Sequence, residues 1–221
     1  MLYVVALIAI ELAFLVLASS SIGGIRLRSF VLLNMVLITV FGGIMMPPGI
    51  PASNVGCVFY SFALVGIMLL FRRNGTVAVV KILQAVVFNI VMLLAIAITL
   101  NAIQWDGPGA AAYHEVLTGT YLFSYASLCA FIIGQGLYTY LYRKLQHLSV
   151  VLYYVVPMAI VQIVDTAIFF PLAFGTNAID LSSIALNGLF VKVSIGLLLT
   201  PFVVMLYRTT PTEASIESGG A

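Results

Sequence analysis

The sequence predicts an all-α integral membrane protein, a bundle of about seven transmembrane helices, on three observations. Only 7% of its 221 residues are charged and 63% are hydrophobic, whereas a soluble domain carries about a quarter charged residues. The apolar residues fall in unbroken runs of about 18 or more, the length that crosses the hydrocarbon core at 1.5 Å per residue. Those runs lack the alternation of polar and apolar positions that a membrane β-barrel requires.

The breaks between runs are marked by charge, Gly and Pro. A first helix is expected over 2–21. It lacks the positive n-region of a secretory signal, carries Glu11 in its middle and is long enough to span. It is therefore read as part of the mature protein. A second helix is expected over 29–46, set off by Ile25-Arg26-Leu27-Arg28. The stretch Pro47-Pro48-Gly49-Ile50-Pro51 cannot be regular helix, because proline removes donors and fixes φ. A third helix is expected over 54–71, stopping at Arg72-Arg73-Asn74-Gly75, and a fourth over 77–102. The longest connection follows, centred on Trp105-Asp106-Gly107-Pro108-Gly109. Further helices are expected over 115–142, 149–174 and 181–207. Residues 1–208 then form one transmembrane domain, and 209–221 a polar, disordered cytoplasmic tail.

Charge placement supports seven spans. Eight of the nine basic residues (Arg26, Arg28, Arg72, Arg73, Lys81, Arg143, Lys144, Arg208) then fall on one side. The other side receives Asp106, Glu115 and Asp180. The positive-inside rule makes the basic side cytoplasmic, with the N-terminus outside an inner (cytoplasmic) cell membrane and the C-terminus in the cytoplasm. Trp105 and Tyr113 fall where an outer aromatic belt is expected.

Three ionisable residues lie inside the spans: Glu11, Asp165 and Lys192. A charge at a helix centre costs roughly 2.5–3.5 kcal/mol on the translocon scale, so each needs a reason. Counted from the outer helix ends, Asp165 and Lys192 lie at a similar depth of ~14–17 Å. Their helices are joined by a short loop, so a pair between them is geometrically reasonable. Gln162 precedes Asp165 by one turn and shares its face. Such a polar cluster near the midplane is where transporters commonly place substrate; the bland alternative is an ion pair that only fixes packing. The expected substrate-binding set is therefore Gln135, Gln162, Asp165 and Lys192, with Glu11, Asn34 and Asn89 as accessory candidates. Intramembrane amides such as Asn34, Asn89 and Gln135 more often hold helices together than bind ligand.

Other chemistries find no support. Cys57 and Cys129 lie in apolar runs without metal-ligand spacing and read as small hydrophobes. His114 and His147 fall at opposite membrane faces, and no Walker A or HExxH sequence is present. No catalytic residue, metal or cofactor is expected. The net charge of +2, spread over scattered basic pairs, gives no reason to expect nucleic acid.

Helices five to seven carry a family resemblance. Gly134-Gln135-Gly136-Leu137 followed by Tyr140-Leu141-Tyr142-Arg143-Lys144-Leu145 resembles the Gly-Gln helix of the vitamin-uptake-transporter-like family, which includes queuosine precursor transporters. Gln162-Ile163-Val164-Asp165-Thr166-Ala167-Ile168-Phe169-Phe170 resembles its Asp-Thr helix. Lys192 followed by Thr200-Pro201-Phe202 resembles its last helix. The segment from Phe41 to Pro51, the third helix and Arg72-Arg73-Asn74-Gly75 look like the family's first hairpin and basic turn. Members usually have six spans, so the first helix here is an addition. The family's acids are absent at three places: Tyr138 and Leu199 stand where Asp is usual, and Ala63 to Met68 holds no acid.

The resemblance implies a secondary transporter importing a small heterocyclic metabolite, such as a 7-deazapurine queuosine precursor. Asp165 would accept from ring or amino N–H groups, Gln135 and Gln162 would read amide-like edges, and Lys192 would set the charge of Asp165 or meet a carbonyl oxygen. The expected partners are that small molecule and the lipid bilayer. A homo-oligomer or a separate energising partner is compatible with the sequence, since this chain holds no nucleotide-binding domain. The alternative is a ligand-sensing membrane module that binds without transporting and signals through a partner. An intramembrane enzyme would need a nucleophile and base at common depth, which the spans do not offer.

Overall fold

The computed structural model describes residues 2–20, 24–41, 44, 54–102, 110–175 and 181–210. The Pro47–Pro51 stretch, the loop from Trp105 to Gly109, Asp180 and the tail beyond 210 lie outside the described residues. Six helical elements follow in order: α1 (Leu2–Ser19), α2 (Ile25–Phe41), α3 (Gly56–Ala102), α4 (Ala110–Lys144), α5 (Val150–Phe174) and α6 (Leu181–Thr209).

α3 is one element in name and two rods in space. Its helix runs through Arg72, Arg73 and Asn74 and is broken at Gly75, whose φ of 66° and ψ of −173° are not helical. Tyr60 and Ile90 line the same cavity, although thirty residues of straight helix would span about 45 Å. The chain therefore folds back at Gly75, and the described residues form seven rods. Arginine propagates helix well, so the charges expected to end the third helix do not end it. The break is the glycine, whose conformation a side chain rarely adopts.

Among the described residues, six helices are long and apolar enough to cross a membrane: Leu2–Ser19, Gly56–Val77, Val79–Leu100, Leu122–Lys144, Val150–Phe174 and Ser182–Thr209. α2 has 17 residues, about 25 Å, and takes Arg26 and Arg28 into its first turn rather than leaving them in a connector. It nonetheless travels the full height of the bundle beside the first rod of α3. At one end a β-carbon on Gly24 would meet Arg73 and Asn74. At the other, Phe41 lies 5.9 Å from Phe59, and the Val55 N–H donates to the Ile44 carbonyl (2.9 Å).

The first rod of α3 is the axis of the molecule, with 94% of its apolar window buried. It packs against α1, α2, α4 and α6, while α5 packs on α4 and α6. Ile10, Phe14, Phe88, Ile132 and Phe190 are more than half exposed around the outside. Such a surface is stable only against lipid. The protein is a multi-pass membrane protein.

The basic side chains gather at one end. An Arg73 Nη1 donates to the Ser19 carbonyl (3.3 Å), and Arg72 Nε donates to the Thr210 carbonyl (3.2 Å). The Arg72 guanidinium also lies 4.1 Å from the centre of the Tyr207 ring. The ends of α1 and α6, the start of α2 and the Gly75 turn thus share this basic end. Replacing Gly75 by Val forces a side chain into a region that costs about 1–3 kcal/mol. Thermal unfolding in detergent is expected to show a lowered Tm for G75V. G136A is the control: it lies in α4, where a β-carbon would meet nothing within 4 Å, and its Tm should hold or rise.

Candidate functional site

The site begins with two charges on adjacent helices. Lys192 Nζ on α6 donates to Asp165 Oδ2 on α5 at 2.6 Å, and both side chains are buried. The ammonium also donates to Thr166 Oγ1 (3.3 Å). Its remaining surroundings are aromatic, with the Tyr60 ring centre 5.1 Å away and that of Phe170 6.0 Å away. A carboxylate, a hydroxyl and two ring faces replace the water shell of the ammonium, and ring faces attract cations at these distances.

Local packing explains the approach of the helices. A β-carbon on Gly188 would lie 2.8 Å from Phe170 Cζ, so only glycine lets α6 pass this close to α5. The central helix α3 fixes the backbone beside the lysine. Ser61 Oγ donates toward the Lys192 carbonyl (3.3 Å) and toward the Cys57 carbonyl of its own helix (3.0 Å).

Above the pair lies a cavity walled by Asn54, Cys57, Tyr60, Ser127 and Phe131, with Asp165 and Lys192 also in its lining. It is narrow. The space for water-sized molecules is about 40 Å³, room for about three waters. A ring system enters only if the helices separate. Asn54 lies just before α3, so the cavity belongs to the half of the bundle away from the basic end.

The structure sorts the residues expected from sequence into three places. Asp165 and Lys192 meet in the cavity lining. Gln135 and Gln162 are buried at 2% and 0% exposure, do not line the cavity, and have no hydrogen-bond partner at either end of their amides. Glu11 and Asn34 lie elsewhere, on the seam between α1 and α2. There Asn34 Nδ2 donates to Glu11 Oε2 (3.1 Å) and to the Phe30 carbonyl (3.1 Å). Asn89 is half-buried on the second rod of α3, next to the cavity-lining Ile90 but not itself in the lining. Tyr60, Ser61, Thr166 and Phe170 were not singled out from sequence. Thr166 and Phe170 carried a signal, standing in the same helix run as Asp165. Cys57, read as a small hydrophobe, is a cavity wall whose thiol lies 3.4 Å from Asn54 Oδ1.

A family model described as "Putative vitamin uptake transporter" matches residues 54–206. The chain belongs to that family. The match runs from Asn54 through most of α6, so it contains Asp165, Lys192 and the helix that packs on them, while the cavity-lining Met35 and Ile38 of α2 lie before it. α1 and α2, with Glu11 and Asn34, precede it. No curated protein and no solved structure gives a significant match.

In this vitamin uptake transporter relative, the three positions where the resemblance implies acids are packed solid. Tyr138 is fully buried and its hydroxyl donates to the Leu64 carbonyl (3.2 Å). Leu199 and the side chains from Ala63 to Met68 are fully buried as well. None of the three positions adds a charge beside the Asp165–Lys192 pair. Removing one partner of a buried pair costs about 3–5 kcal/mol, while removing both is often neutral. D165N and K192M are each expected to lower the Tm in detergent strongly, and the D165N/K192M double variant to recover most of the loss. Equal and additive losses would show that the two groups do not depend on each other.

Proposed function

We propose that the protein imports a small, planar, hydrogen-bonding heterocycle, of which a 7-deazapurine queuosine precursor is the leading example. The observation that carries this reading is the Asp165–Lys192 pair exposed to an internal cavity within the family-matched residues. A structural ion pair gains nothing from adjoining a void. A binding pair does, because the ligand completes its hydrogen bonding. Asp165 has a second oxygen with which to accept a ligand N–H, while Lys192 donates to the first. Tyr60 and Phe169, both in the cavity lining, offer ring faces on which a planar ligand can stack.

The basic end is cytoplasmic on the positive-inside rule, so the cavity belongs to the outer half and loads from outside an inner cell membrane. Import then requires the helices first to separate around the ligand and later to open toward the basic end. Energy comes from an ion gradient, from the ligand's own gradient, or from a separate energising partner. A ligand-sensing module is the second reading. It is favoured by the solid core at Tyr138, Leu199 and Ala63–Met68, which leaves the inner half closed.

Uptake of a labelled 7-deazaguanine precursor into cells without their own importer tests the first reading. Accumulation is expected with the wild-type chain and is expected to vanish in D165N/K192M at equal membrane abundance. Binding to the purified protein without accumulation in cells would favour the sensor. A reporter enzyme active only in the cytoplasm, fused after Ala221, should be active; silence there would invert the assigned orientation.

A further inference from the structure

Two stripes of side chains run from the cavity toward the basic end on facing helices. On α4 the cavity-lining Ser127 and Phe131 continue, at helical spacing, into Gln135, Tyr138 and Tyr142. On α5 the cavity-lining Phe169 and Asp165 continue into Gln162, Met158 and Tyr154. All six continuing residues are 2% exposed or less. One turn beyond the cavity, its walls close into solid protein.

The filling is polar where an ordinary core would be apolar. Neither end of the Gln135 or Gln162 amide has a partner, and the Tyr154 hydroxyl has none either. The two amides lie at one level, since a β-carbon on Gly134 would sit 3.5 Å from Val161. Burying an unpartnered amide is costly, so both side chains lack in this closed arrangement the partner that their burial calls for. Beyond them stand aromatic rings. Tyr138 and Tyr142 are 5.4 Å apart, Tyr142 stacks on Phe71 at 4.9 Å, and Tyr153 lies 4.1 Å from Tyr142. Tyr153, Phe71, Arg72, Gln146 and Tyr207 then line a second, polar pocket of about 340 Å³ at the basic end. From Phe131 to Tyr142 the closed stretch measures about 16 Å along α4, half the hydrocarbon thickness.

We propose that this stretch is the shut inner half of a path joining the two pockets, with Gln135 and Gln162 as a second binding station and Tyr138 as its gate. The station takes the donor–acceptor edge of a planar ligand, an amide-like pattern that two carboxamides match. The gate is held by the hydrogen bond from the Tyr138 hydroxyl to the Leu64 carbonyl, which ties α4 to the buried central helix. The inference rests on the import reading, but its test needs no ligand.

Gln162→Cys is placed in the chain with and without Tyr138→Phe, and sealed vesicles of each orientation are treated with a membrane-impermeant maleimide. Mass spectrometry of the peptides separates labelling at residue 162 from labelling at Cys57 and Cys129. Loss of one neutral hydrogen bond shifts an equilibrium roughly two- to tenfold. The labelling rate from the basic end is expected to rise by that factor in the Tyr138→Phe background. Gln135→Cys on the facing helix is a second probe that stays readable if the first variant folds poorly. Unchanged rates at both probes, or reaction only from the opposite face, would overturn the gate. Faster labelling without uptake of any heterocycle would leave the path standing and remove the import reading. Uptake with both probes inert from the basic end would do the reverse.

Discussion

The ion pair between Asp165 and Lys192 is the contact on which the arrangement of the bundle depends. In hydrocarbon neither charge is tolerable alone, and the free energy lost by removing one partner is a large fraction of a domain's margin of stability. The pair therefore acts as a register mark. It fixes how far α6 is displaced along α5, and through the Lys192 carbonyl and Ser61 it fixes both against the central helix. The glycine at 188 and the ring of Phe170 follow from that demand, because the charges meet only if the helices come close. The pair lies at the wall of a void rather than in packed protein.

The second constraint is the turn at Gly75. It lets one long helical run supply both the axis of the molecule and a returning rod, so that Tyr60 and Ile90 face one space. It also places Arg72 and Arg73 where they can reach the ends of α6 and α1. Three chain segments far apart in sequence are thus held at the basic end by two guanidinium groups that accept no burial in lipid. The cavity lies in the opposite half of the bundle.

Much of this was legible in the sequence. Charge scarcity and run length gave the helical membrane class, and the helix cores lie where the apolar runs are. The family was legible in the Gln135, Asp165 and Lys192 blocks, where motif spacing survives. Helix ends were read less well where Arg26, Arg28, Arg72 and Arg73 were taken as breaks, because arginine is a good helix former and a long side chain can snorkel. Tyr60 and Ser61 were not legible at all. The central helix is buried on every side, so 57–70 shows no amphipathic stripe, and periodicity cannot single out one face. The pairing of Glu11 with Asn34, away from the other polar residues, is likewise a matter of how α1 docks, which depth alone does not determine.

The neutrality of the pair has an electrical consequence. One elementary charge moved across a membrane is worth about 2.3 kcal/mol per 100 mV, so a lone buried lysine or aspartate would feel the resting potential at every rearrangement of its helix. Asp165 and Lys192 travel together as a dipole only 2.6 Å long. The potential does almost no work on them, whichever way the helices move. An uncharged ligand resting on the pair adds nothing to that sum, and voltage can take hold of the site only where a third charge joins it.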